Sequence, residues 1–147
     1  MRLMLAAAVL LCAIPFAASA QQVQPGQWTY SSKITHIEGD HVPPGMAQAL
    51  ASEPPNTDTK CLTAAEAAHG LENMLKEKDK ECTLTSNAFA GGVLDATRSC
   101  KSASGTNIVH LHGPVTPTGF TLNATGTSGR GIKIDMVFTA KRVGACK

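Results

Sequence analysis

Two cysteines stand at equal distances from Gly91 in the stretch CTLTSNAFAGGVLDATRSC, residues 82–100. No other feature of the chain limits its fold as tightly. If Ala90-Gly91-Gly92 is a three-residue hairpin loop, glycine supplies the positive φ that such a loop needs. Phe89 then faces Val93, Ala88 faces Leu94, Ser86 faces Ala96, Leu84 faces Arg98, and Cys82 faces Cys100. A non-hydrogen-bonded antiparallel pair brings its Cα atoms to about 4.5 Å, inside disulfide range. The same register gathers Leu84, Ala88, Leu94 and Ala96 on the cysteine face, and Thr83, Thr85, Asn87, Asp95, Thr97 and Ser99 on the other. A slip of one residue would scramble both faces. Arg98 and Lys101 flank Cys100 and would lower a thiol pKa, as a redox pair requires. There is, however, no C-x-x-C and no additional metal ligand at short spacing around these cysteines. The spacing predicts a structural staple.

The compartment expected for such a staple is oxidising, and the N-terminus agrees. Residues 1–20, MRLMLAAAVLLCAIPFAASA, carry a basic Arg2, an apolar run and an Ala18-Ser19-Ala20 cleavage site, the pattern of a signal peptide removed after Ala20. The apolar run is too short to favour a permanent span. Cys12 follows Leu11 rather than a small residue, unlike a lipid-attachment cysteine. Residues 21–147 then form one domain, expected to be periplasmic and without stable membrane insertion. It keeps four of the five cysteines, and once Cys82 is assigned to Cys100, Cys61 is left for Cys146. Loop-closure entropy puts the short bridge at about 3 kcal/mol and the long one at about 4.6 kcal/mol.

Charge and composition exclude several function classes. Without Arg2, the thirteen basic residues become twelve against eleven acidic ones. A nucleic-acid binder needs a concentrated basic surface, so no nucleic-acid partner is expected. The aromatics beyond the leader are Trp28, Tyr30, Phe89, Phe120 and Phe138, too few and too dispersed for a base- or sugar-stacking platform.

Local patterning is mainly β. QWTYSSKITHI, residues 27–37, places Trp28, Tyr30, Ser32 and Ile34 on one side of a strand. Residues 39–59 are broken by proline and glycine and read as a long loop, with at most one helical turn near 47–51. A helix is expected over about 63–75, opened by a Thr63/Glu66 capping box and striped by Leu71, Met74 and Leu75. The charge run at 76–81 reads as its solvated end. Strands follow at 82–89, 93–100, 106–112, 119–125 and 131–141. In the last, Ile132, Ile134, Met136, Phe138 and Ala140 share a face. Short strands with close turns predict an antiparallel meander curled into a small barrel or sandwich.

Three motifs, PGQW at 25–28, CLT at 61–63 and AKRVGAC at 140–146, resemble an exported bacterial family, domain-of-unknown-function family 3617. The matching positions are Pro25, Gly26, Trp28, Cys61, Leu62, Thr63, Cys82, Cys100, Lys141, Arg142, Gly144 and Cys146. The resemblance spans the region after the leader and implies a periplasmic location. It carries no catalytic residues.

Candidate chemistry is sparse. His110 and His112 in VHLHG point to one face of a strand, as a metal-binding pair would. A catalytic zinc needs a third protein ligand, and His36, His41, His69 and Asp135 are the candidates, none close in sequence. GTSGRG, residues 126–131, reads as a hairpin turn rather than an anion site because no helix follows it. Asn123-Ala124-Thr125 matches a glycosylation pattern, which matters only in a glycosylating pathway. There is no G-x-S-x-G elbow. No catalytic residue, cofactor or metal is therefore assigned, and the expected activity is binding rather than catalysis. The ligand-facing candidates are Trp28, Phe120, Met136 and Phe138 on the sheet, with Met46 and Leu50 as a lid over Trp28. The partner would be a small apolar ligand or an envelope protein. The alternatives are a structural or stress-related envelope protein without a ligand, or a metal protein using His110 and His112.

Overall fold

A computed structural model describes residues 23–71 and 81–147. The expected signal peptide, Met74, Leu75 and the charge run as far as Lys80 lie outside the described residues. The chain forms β1 (Gly26–Glu38), α1 (Met46–Ser52), β2 (Asn56–Leu62), α2 (Ala64–Ala68), β3 (Cys82–Ala90), β4 (Val93–Ser102), β5 (Gly105–Thr116), β6 (Gly119–Thr127) and β7 (Lys133–Gly144). All seven strands join one antiparallel sheet in the order β2-β1-β7-β6-β5-β4-β3. Strands β3 to β7 are the expected meander, and β1 then returns the start of the chain to the side of its last strand.

The sheet is curled but not closed. β2 and β3 are its two edges and are not hydrogen-bonded to each other. Five inter-strand steps separate β2 from β4, about 24 Å in a flat sheet at ~4.8 Å per step. Yet Asn56 and Asp58 of β2 line the same cavity as Arg98 of β4, which only a strongly curved sheet allows. Of the two expected shapes, the molecule is nearer an opened barrel than a two-sheet sandwich.

The core lies on the concave face. Trp28, Leu62, Leu94, Ala96, Leu111, Val115, Leu122, Ala124 and Ala140 are buried there, with Val23 and Ala67 closing one end. Strand alternation explains the selection. In β7 the register sets Met136 beside Ile34 and Ala124, Phe138 beside Ser32 and Leu122, and Ala140 beside Tyr30 and Phe120. Gly113 permits one close approach within this curve, because a Cβ there would collide with the carbonyl oxygen of Thr121.

The β3–β4 hairpin corrects the expected register in part. Its loop has two residues, Gly91 and Gly92, with φ of 58° and 77°, the double positive φ of a tight primed turn. Ala90 therefore faces Val93, Phe89 faces Leu94, Ala88 faces Asp95 and Asn87 faces Ala96. The expected pairs Phe89/Val93, Ala88/Leu94 and Ser86/Ala96 are each off by one. A bulge between Leu84 and Ser86 absorbs the difference, so Leu84 faces Arg98 and Cys82 faces Cys100 as expected. Both disulfides are present: Cys82–Cys100 with Cα atoms 4.0 Å apart, and Cys61–Cys146 at 5.4 Å.

Residues 39–59 also differ from the long loop expected. They contain the seven-residue α1 and most of β2, which pairs with β1 from Ser32 to Gly26. NTDTKCL conceals a strand because it is an edge strand, with every residue from Asn56 to Lys60 exposed. No apolar alternation marks it. The helix at 63–75 is shorter among the described residues: α2 ends at Ala68, with His69 as its C-cap and Gly70 at φ 67° behind it. Its capping box is formed, with Thr63 and Glu66 exchanging hydrogen bonds.

Candidate functional site

The concave face carries two adjoining cavities. The first, of about 390 Å³, has Leu111, Phe120 and Phe138 as its apolar walls, with Tyr30, Ser32, Asn56, Asp58 and Arg98 as polar groups. The second, of about 220 Å³, is lined by Cys100, Val109, Ala124, Ile134, Met136, Asn107 and again Arg98. Leu111 in the first and Val109 in the second are two residues apart on β5. The cavities are thus consecutive stretches of one trough along the strands, and Arg98 stands at their boundary.

Arg98 occupies a core-facing position of β4, between buried Ala96 and buried Cys100. It faces Leu84 on β3 and Val109 on β5. Tyr30 lies opposite Asp58 and Ala140. Its phenol is pushed up to about 12, first by burial and then by the negative charges of Glu66 and Asp58. The hydroxyl is therefore neutral at physiological pH, able both to donate and to accept a hydrogen bond.

The six ligand-facing candidates divide. Phe120 and Phe138 line the first cavity and Met136 the second. Trp28 lines neither cavity. It is fully buried, stacks against Tyr30 at 6.5 Å between centroids, and donates its indole N–H to the Gln24 carbonyl at 3.0 Å. Met46 is exposed and Leu50 half-buried on α1, which follows the Glu38 end of β1. Trp28 sits near the opposite end of that strand, ten residues from Glu38, about 33 Å at ~3.3 Å per residue. Leu62 of β2 and Ala67 of α2 share the apolar cluster with Trp28. Sequence reading missed Arg98, Tyr30 and Asp58 as cavity groups. Arg98 had a usable signal: a charge on the apolar side of a strand.

The histidine pair occupies the convex face. His110 Nε2 lies 3.0 Å from Asp95 Oδ1, and His112 Nδ1 lies 3.4 Å from Asp95 Oδ2. Hydrogen bonding to His110, reinforced by His112, holds the Asp95 carboxyl below its ordinary range. Asp95 is thus the nearby acidic partner, whereas His36 pairs with Glu38 at 3.5 Å. Among the described residues no group of three His, Cys, Asp or Glu is placed to hold a metal ion. The GTSGRG segment is a turn, in which the Ser128 hydroxyl accepts from the backbone N–H groups of Arg130 and Ile132. Asn123 is exposed on β6.

The three motifs noted in the sequence meet at one end of the sheet. Gln27 of β1 faces Cys61 on one side and Gly144 on the other. The Arg142 guanidinium donates to the Pro25 carbonyl at 2.8 Å, and a Cβ at Gly26 would strike the Gly144 carbonyl oxygen. Cys61–Cys146 bridges the same place. These residues form a clamp over β2, β1 and β7, outside the two cavities. No curated protein and no solved structure matches the chain. The model of the family described as "protein of unknown function (DUF3617)" matches residues 23–146, which include every residue of this clamp, and the chain belongs to that family.

Proposed function

We propose that the protein is a non-enzymatic, periplasmic binding domain that holds a small, largely apolar ligand on the concave face of its sheet. The observation that carries this reading is the first cavity. Its volume of about 390 Å³ falls within the ~300–1,000 Å³ of small-molecule sites, which pair apolar walls with a few placed polar groups. Leu111, Phe120 and Phe138 supply the former, and Tyr30, Asp58 and Arg98 the latter. Two disulfides fit an oxidising compartment. Among the described residues no helix is long and apolar enough to cross a membrane. An envelope protein that takes no ligand is the competing reading.

The test is a fluorescence titration of the disulfide-intact protein with N-phenylnaphthylamine, a neutral probe that brightens in apolar surroundings. Saturable brightening is expected, with affinity reduced at least about tenfold by Phe138→Asp, a loss of ~1.4 kcal/mol. Circular dichroism of that variant should match the unchanged protein. No saturable signal, or a signal indifferent to Phe138→Asp, would leave the ligand-free envelope protein standing.

A further inference from the structure

We infer that the ligand of this trough is an amphipathic anion, a fatty-acid-like carboxylate whose acidic head rests on Arg98 and whose apolar body lies along Leu111, Phe120 and Phe138. The inference rests on the small-ligand reading above and names its chemical class.

Position is the first argument. Alternation along β4 turns Leu94, Ala96, Arg98 and Cys100 to the concave face, and three of these four are buried and apolar. A guanidinium in that row carries a desolvation cost that an apolar residue would avoid. The same side chain lines both cavities and is the one basic group among the described residues that line them.

Charge distribution is the second. Asp58 stands on the β2 wall of the first cavity, and Glu66 acts on the neighbouring Tyr30. Among its described lining residues the second cavity has no acidic group. An anion is therefore repelled from the β2 wall and attracted to Arg98, which fixes the direction of an elongated ligand. Guanidinium presents five N–H donors in a planar fork. It can keep contacts within the protein and still take a carboxylate in bidentate fashion. Tyr30, neutral at physiological pH, places a further hydroxyl on the wall without adding a second negative charge.

Size is the third. At about 30 Å³ for each water-sized unit, the first cavity has room for on the order of a dozen heavy atoms. That suits a medium-length chain better than a long one.

The experiment compares dodecanoate, dodecanol and dodecyltrimethylammonium as competitors of N-phenylnaphthylamine, below their micelle concentrations. Dodecanoate is expected to displace the probe at a concentration at least about tenfold lower than dodecanol, and the cation to be weakest. In Arg98→Gln the advantage of dodecanoate over dodecanol should vanish, and Arg98→Lys should restore part of it. Equal displacement by acid and alcohol in the unchanged protein overturns the inference, whether or not the variants fold. A preference that survives Arg98→Gln overturns it as well. If the neutral probe binds and no anion preference is seen, only the ligand class is wrong. If neither the probe nor any competitor binds, the small-ligand reading itself falls.

Discussion

Tyr30 is the residue at which packing and electrostatics meet. Burial beside Trp28, with Asp58 opposite and Glu66 nearby, raises its phenol to about 12 from an ordinary 10.0. Protonated, it is compatible with its surroundings; ionised, it would add a third negative charge to a partly desolvated site. The folded protein therefore retains the Tyr30 proton over a range in which the unfolded chain has released it. This contribution to stability is present in full below about pH 10 and is lost as pH rises toward 12. The chain has a single tyrosine, so phenolate absorbance reports Tyr30 alone. We expect its titration midpoint to lie well above that of the urea-unfolded protein and to fall in Glu66→Gln. The urea midpoint should also drop more steeply between pH 10 and 12 than in Tyr30→Phe. Coincident titrations of folded and unfolded protein would show that the site is not desolvated as described.

At the scale of elements, the curvature of the sheet depends on places where two backbones come close. Gly113 of β5 is the plainest, since its missing Cβ makes room for the Thr121 carbonyl of β6. Gly113→Ala should destabilise the protein by about 1–3 kcal/mol, the usual cost of overpacking, and should weaken probe binding by flattening the trough. Chemical denaturation and probe titration read the two effects separately. Unchanged stability would mean that the strands can part without loss. The curve itself was only partly legible in the sequence. Apolar alternation in β1 and β7 marks the core face, and the paired cysteines select the lower half of the β3–β4 ladder. The upper half follows the Gly91-Gly92 turn, and nothing in the residues from Cys82 to Ala90 announces the bulge that reconciles the two. β2 was invisible for a different reason. An edge strand with five consecutive exposed residues has no hydrophobic period to read, and here charge on Asp58 and Lys60 replaces it, a common protection for an unpaired edge. The candidate site was half legible because Phe120, Met136 and Phe138 carry the strand period. Arg98 and Asp58 enter the trough only when the sheet curls far enough to bring β2 and β4 to opposite sides of one cavity.

At the scale of the whole molecule, an unclosed barrel must keep its two edges from peeling away, and each edge is secured by one disulfide. Cys82–Cys100 holds β3 to β4 across a sequence separation of 18, and Cys61–Cys146 holds the end of β2 to the chain just past β7 across a separation of 85. The second bridge links the strands on either side of β1, at the end of the sheet that also holds the Arg142–Pro25 hydrogen bond and the buried Gly26. Loop-closure entropy assigns the longer crosslink about 4.6 kcal/mol and the shorter about 3 kcal/mol. The consequences for binding should differ more than the energies do. Asn56 and Asp58 are cavity groups on an edge strand paired on one side only, so loosening β2 opens the wall of the first cavity. Loosening β3 removes no residue that lines it. We therefore expect Cys61→Ala/Cys146→Ala to lose about 4–5 kcal/mol in guanidinium unfolding. In native conditions its cleavage by trypsin, at Lys60 within the exposed strand, should accelerate, and probe affinity should fall with it. Cys82→Ala/Cys100→Ala should lose about 3 kcal/mol yet bind the probe almost as the unchanged protein does. Equal loss of probe affinity in the two variants would mean that the trough responds to global stability rather than to the β2 wall, and the division of labour between the two crosslinks would be wrong.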